Sequence, residues 1–189
     1  MVVFEFVIGV VFIVIIVAII LYIMALFNGL ITLKNNIKKS WANVDVILKQ
    51  RSDELPNLVS VVKGYMKYES KLLKELTDAR TKFLNAKTMQ AKADADGIIS
   101  NALKSVFAVA ENYPKLSASE NFIQLQNRVT GLENVLADRR EFYNDSVNQY
   151  NIRIQMIPDM FVARMMGWNE PEVLFKATDE ERKYVRVKI

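Results

Sequence analysis

The chain has 189 residues, 51% of them hydrophobic, and a formal net charge of +4, which leaves room for one membrane segment and one further domain, without the basic tail that grips nucleic acid. It contains neither cysteine nor histidine, which excludes disulfides, thiolate zinc sites, cysteine nucleophiles and every constellation that uses imidazole as base or ligand. An enzyme of this composition would have to run on carboxylates, lysine or tyrosine.

From Phe6 to Phe27 the sequence FVIGVVFIVIIVAIILYIMALF carries no charge. At about 1.5 Å per helical residue it crosses a hydrocarbon core of roughly 30 Å. A cleaved signal peptide needs a basic leading region, a shorter apolar core and a small-residue cleavage site, whereas MVVFE offers Glu5 and no Lys or Arg. Residues 1–29 are therefore expected to form a short tail and a transmembrane anchor in contact with membrane lipid. Lys34, Lys38 and Lys39 follow the span, and basic flanks stay on the cytoplasmic face. The expected topology is a single pass through the cell membrane, N-terminus outside and soluble domain cytoplasmic.

Residues 30–170 read as a helical bundle. Trp41, Val44, Leu48, Leu55, Leu58, Val62, Tyr65, Leu72 and Leu76 follow a 3-4 spacing, so the periodicity predicts one long helix from about Thr32 to Ala86. Two positions interrupt its seam, Arg51 and Glu69. A second, shorter helix is expected between DADG at Asp94–Gly97, read as a connecting turn, and NYPKLSASEN, with Ile99, Ala102, Val106, Val109 and Tyr113 on one face. Pro114 disfavours helical geometry at Tyr113, and Ser117 or Ser119 can cap the next helix. That third helix runs from about Ser119 to Ile157 on a stripe of Phe122, Leu125, Val129, Leu132, Leu136, Arg139, Tyr143, Val147, Tyr150, Ile154 and Ile157. Pro158 ends it, Asp159 to Met166 makes a short helix closed by Gly167, and residues 171–189 form a tail, extended at VRVKI or disordered. The fold class is all-α: one N-terminal transmembrane helix followed by a long-helix antiparallel bundle.

Pro56 lies inside the first soluble helix, where it removes a backbone donor and crowds the carbonyl of Ser52 at a cost of about 3 kcal/mol. A static kink explains it more simply than a hinge. Beside it, Arg51 and Glu54 are three apart and read as a local charge pair, with Asp53 pointing elsewhere, rather than as an acid-base site. Arg139 on the seam needs a desolvated partner, and Glu69 is the expected one. DADG is not a calcium loop, since the aligned pattern puts Lys92 and Leu103 at ligand positions. Asn144-Asp145-Ser146 matches a glycosylation acceptor by chance within a helix. Met156, Met160, Met165 and Met166 read as a flexible lid over the core rather than as a binding surface.

SWANVDVILKQRSDELPNLVSVVKGYMKYE, at Ser40–Glu69, resembles the signature of the LemA family: a Trp-Ala, an acidic-Val pair, an Arg-x-Asp at Arg51 and Asp53, and Leu-Pro-Asn-Leu-Val around Pro56 and Asn57. VFAVAENYPKLSASENFIQLQNRV, LENVLADRREFYNDSVNQYN with its two Tyr-Asn pairs, and IPDMFVARMMGW are similar to later segments of the family. The likeness extends from about Leu30 to Phe175. Trp168, where the family commonly has phenylalanine, and Val135, where it often has arginine, depart from the pattern. The resemblance implies a single-pass membrane protein with an antiparallel helical bundle, no established enzymatic activity and no cofactor.

One length comparison bears on assembly. A helix of about 55 positions is roughly 80 Å long, and one of about 20 positions roughly 30 Å. The third helix would run parallel to the first, away from the membrane, leaving Trp41, Val44, Leu48, Leu55 and Leu58 uncovered. Exposed apolar seams are uncommon on stable proteins, so these five residues are expected to form a homo-oligomer interface. The functional expectation is a self-associating, non-catalytic scaffold of the cell envelope that gathers other envelope or membrane proteins. The alternative is a membrane-tethered binding or sensing module for a peptide, a lipid or a membrane protease, which an excess of apolar surface near Met156 to Trp168 would favour.

Overall fold

The computed structural model describes residues 2–66 and 69–175; the VRVKI segment lies outside the described residues. In chain order the elements are α1 (Val2–Lys63), α2 (Ser70–Asn85), α3 (Met89–Ala110), α4 (Pro114–Ser117), α5 (Glu120–Arg153) and α6 (Asp159–Met165). No strand occurs among the described residues. The chain divides into two compact units, Met1–Ser40 with Tyr143–Leu174, and Trp41–Phe142 with Phe175–Ile189.

In the second unit, the C-terminal part of α1 packs with α2, α3 and α5. Asp45 and Arg51 of α1 meet Lys92 and Asp96 of α3, so α3 runs parallel to α1. Glu54 and Arg51 meet Arg128 and Glu133 of α5, so α5 runs antiparallel to it. The core is aliphatic, with Leu48, Leu55, Leu58, Leu76, Ile99, Leu103, Val106 and Val129 among its buried residues. The Thr88 hydroxyl accepts from the Ala91 N–H at 3.1 Å and caps α3. Pro114 opens α4, where its missing donor is not needed.

Two expectations about these helices are corrected. The long helix does not reach Ala86, because α1 stops at Lys63 and a turn carries Gly64 and Tyr65. Glycine costs about 1 kcal/mol in a helix, and here the turn also buries Met66. Pro56, the stronger breaker by propensity, lies within α1 and is exposed. Carrying the helix past it buries Leu55, Leu58 and Val62, each worth roughly 1.5–3 kcal/mol, which outweighs the roughly 3 kcal/mol that proline costs. DADG is not a turn but lies within α3, with Asp96 buried.

The break at Gly64 adds one reversal of direction, which is why α5 runs antiparallel rather than parallel to α1. The seam is covered as a result. Val44, Leu48, Leu55 and Leu58 are buried within the chain itself, and Trp41 is half-buried with its ring 6.3 Å from that of Phe175. The uncovered surface from which a homo-oligomer interface is expected does not exist at Val44, Leu48, Leu55 and Leu58, and only part of the Trp41 side chain stays exposed.

In the first unit, every described side chain from Val3 to Ala25 is exposed, and burial begins at Leu26 and continues at Leu30, Ile37 and Ser40. Beside them lie Tyr143, Val147, Tyr150 and Ile154 of α5, all buried. The Ser40 and Ser146 hydroxyls share a 3.0 Å hydrogen bond. Gly29 allows the Arg153 guanidinium close to the backbone of α1, since a Cβ there would stand 3.4 Å from Nη2. Gly167 closes α6 at φ +68°, as the sequence predicts.

Leu48, 0% exposed, tests the covered seam. Leu48→Ala is expected to cost about 3 kcal/mol in thermal unfolding of the detergent-solubilised chain, and the loss should not change on dilution. A loss that depends on protein concentration would return Leu48 to an interface between copies.

Candidate functional site

In the second unit Arg51 and Arg140 converge on Asp96. Arg51 Nη1 donates to Asp96 Oδ1 at 2.9 Å and to Ser100 Oγ at 2.9 Å. Arg140 Nη2 donates to Asp96 Oδ2 at 2.5 Å. Arg51 Nη2 lies 3.5 Å from Glu133 Oε1. Arg51 is 1% exposed and Asp96 fully buried, so one carboxylate from α3 is shared between guanidinium groups from α1 and α5. Burial pushes the Asp96 carboxyl above its ordinary value of 3.8, and the Arg51 and Arg140 charges pull it back only in part.

Around this cluster the remaining candidates take structural partners. Glu54 is buried and accepts from Arg128 Nε at 2.7 Å and Asn57 Nδ2 at 3.2 Å, so it does not pair with Arg51. Asp53 pairs with Lys49 one turn back, at 2.5 Å on the surface. Glu69 accepts from the Tyr113 hydroxyl at 3.3 Å. The expected Glu69–Arg139 pair is overturned, because Arg139 is exposed. From Leu136 the seam steps four residues to Arg140 and then three to Tyr143, whereas the predicted stripe took the three-residue step first. The guanidinium that faces inward is one position later, and its acid is Asp96.

A groove of about 380 Å³ beside Pro56 is lined by Leu55, Val59, Lys63, Leu76 and Arg80 among others. It contains no carboxylate, so it offers no acid-base pair. Among the described residues, no group of three or more acids is placed to hold a metal ion.

The first unit carries two further features. Tyr143, Tyr150 and Asn151, from the two Tyr-Asn pairs of α5, tie down the segment after α6. The Tyr150 hydroxyl donates to the Trp168 carbonyl at 3.3 Å, and the Tyr143 hydroxyl to the Val173 carbonyl at 2.9 Å. Asn151 brackets Glu172, donating to its carbonyl at 2.9 Å and accepting from its N–H at 2.8 Å. Trp168 itself stacks on Phe27, centroids 6.0 Å apart, and Lys34 Nζ lies 4.8 Å from its ring centroid.

The second feature is an apolar cluster. Met156 is 54% exposed, Ile157 72%, Phe161 55%, Met165 85% and Met166 43%. The lid reading of the methionines is corrected, because Met156, Met165 and Met166 face outward while Asp159, Val162 and Ala163 take the buried side of α6. Arg153 Nε donates to Asp159 Oδ1 at 3.0 Å and so fixes the start of α6 to the end of α5.

A transmembrane-type helix and a helical bundle whose buried charges are paired define a membrane-associated helical protein, and no catalytic constellation is shown among the described residues. Residues 40–189 match the LemA family, and the chain belongs to that family. Among curated proteins it is similar to magnetosome proteins MamQ 2 and MamQ 1 of Paramagnetospirillum magneticum, each 24% identical over 83% of this chain and 67% of their own length. It is also similar to magnetosome protein MamQ of Magnetospirillum gryphiswaldense, 22% identical over 77% of this chain and 63% of that protein.

Removing one partner of a buried ion pair strands the other. Arg51→Met is expected to cost about 3 kcal/mol near neutral pH, read by thermal unfolding of the full chain in detergent. A native carboxyl with a raised pKa stabilises fully in acid and loses that contribution as pH rises through its value. Without Arg51 the Asp96 pKa rises further, so the deficit should shrink on acidification. Because Arg140 also rests on Asp96, recovery of most of the loss should require the triple change Arg51→Met, Asp96→Leu and Arg140→Met. A deficit that ignores pH would mean that the Asp96 charge is not what Arg51 balances. Arg139→Met, on the exposed face, should stay within about 0.5 kcal/mol of the parent.

Proposed function

We propose that this LemA-family chain is a membrane-tethered, non-catalytic binding module of the cell envelope, with its helical bundle in the cytoplasm. Its binding surface is the exposed apolar cluster at the end of α5 and on α6. The observation that carries this reading is the outward-facing set Met156, Ile157, Phe161 and Met165. A small helix that spends its exposed face on large apolar side chains marks an interaction site, and methionine suits a surface that adapts to what it meets.

A self-associating scaffold that gathers other membrane proteins is the second reading. It drew its support from an apolar seam that proves to be interior, so any contact between copies has to use other surface. The cytoplasmic placement of the bundle rests on Lys34, Lys38 and Lys39 after the span. The named relatives are magnetosome proteins, which agrees with a role at a membrane.

The chain has no cysteine of its own, so single substitutions report cleanly. In cell membranes Phe161→Cys should resist a membrane-impermeant thiol reagent that labels it readily after detergent extraction, while Asp145→Cys, also exposed in the first unit, reacts in both. Asp145→Cys should react in inverted vesicles and not in intact cells, as a cytoplasmic bundle requires. Equal labelling of Phe161→Cys before and after extraction would remove the binding surface. Extraction in mild detergent should yield a particle with the mass of one chain, and a defined larger mass would restore the scaffold.

A further inference from the structure

The apolar cluster lies in the same compact unit as the membrane span, and the contacts within that unit place it at the level where the span ends. Exposed side chains give way to buried and half-buried ones at Leu26 and Phe27, in the last turn of the apolar stretch from Phe6 to Phe27. Trp168, two residues after the cluster, stacks on Phe27. Arg153, three residues before it, packs against Gly29. The cluster is thus bracketed on both sides by contacts to the lipid-side end of α1, within a turn or so of residues that must lie in or beside hydrocarbon.

We propose that Ile157, Phe161 and Met165, with Met156 and Met166 beside them, are seated in the lipid bilayer at the boundary between headgroups and acyl chains. This inference rests on the reading of the cluster as a binding surface and names the occupant. The apolar residues enter the upper acyl region next to α1. Trp168 sits at headgroup level, where an amphipathic ring is favoured. Lys34, above that ring, and Arg164, exposed on α6 between Phe161 and Met165, face the phosphates. Asp159, the acid within α6, is buried and paired with Arg153, so it does not present its charge to the lipid. An element that lies in the interface plane combines these three parts: an apolar face, a basic edge and an aromatic at the boundary. A peptide partner would require the same face to be reached from water, yet its surroundings are those of the span itself.

The full chain is reconstituted in vesicles of phosphatidylcholine and phosphatidylglycerol with no other protein present. Met165→Cys and Asp145→Cys carry an environment-sensitive fluorophore, and lipids bearing a quencher at shallow or deep acyl positions report depth. The Met165 label should be quenched about twofold or more by the shallow quencher, as expected for insertion of about 5–10 Å below the headgroups, and the Asp145 label should be unaffected. Replacing Phe161 with Asp in the Met165→Cys chain should lift the label back into water. The two readings fail differently. If Phe161→Cys is shielded in cell membranes but the Met165 label stays in water in these vesicles, a protein covers the surface and lipid is not its occupant. If neither is shielded, both readings fall. Since Met165 is 85% exposed, its replacement leaves the fold intact, and an unchanged unfolding temperature in detergent verifies this.

Discussion

A guanidinium that is 1% exposed cannot give up its charge, so the bundle has to bring a carboxylate to Arg51. Asp96 answers from α3, and because the same carboxylate also receives Arg140 from α5, three helices are fixed in register by one acid. Two unit charges about 4 Å apart attract by roughly 4 kcal/mol at an effective dielectric constant near 20, a sum comparable to the cost of desolvating them. The cluster therefore adds little net stability and much discrimination. A helix shifted by one turn keeps its aliphatic contacts but leaves a buried charge without its partner.

The aliphatic seam and this charge cluster depend on the direction of α5, which in turn depends on the break after Lys63. With that break the chain reverses between α1 and α2, α2 and α3, and α3 and α5, and the last helix comes back along the first. Without it the count of reversals is one lower and the last helix runs the wrong way. The long apolar N-terminal helix, the Tyr113-Pro114 turn, the leucine stripe and the glycine stop at Gly167 are all legible in the sequence, since each rests on a strong local signal. The decisive break is not. It is marked by a single Gly64, a penalty of about 1 kcal/mol that the apolar pattern on either side obscures. A parallel last helix would leave Val44, Leu48, Leu55 and Leu58 bare, whereas the antiparallel one covers them.

Asp96 was hidden for a related reason. Aspartate and glycine are both poor helix formers, so DADG reads as a turn unless the inward acid is known to meet two arginines from distant helices. Arg139 and Arg140 illustrate the limit of periodicity: a stripe that advances by three or four cannot tell adjacent positions apart, and only tertiary packing chooses. The Tyr-Asn pairs were visible as motifs, but their purpose depends on a segment without regular structure at residues 168–173, for which no repeating pattern exists to be read. The methionine-rich end was visible too. Whether such residues cover a core or face outward depends on which side of a seven-residue helix carries Val162 and Ala163.

That fastening of the segment after α6 has a consequence for how the molecule withstands base. Burial, helped by the Glu172 charge, pushes the Tyr143 phenol up to about 12, and the phenol must keep its proton to hold the Val173 carbonyl. Its contribution is complete below the ordinary tyrosine value of 10.0 and fades only as the medium passes through the higher one. Alkaline washing, which strips loosely adsorbed material from membranes, thus leaves this clasp shut across most of the range in which ordinary tyrosines have already ionised.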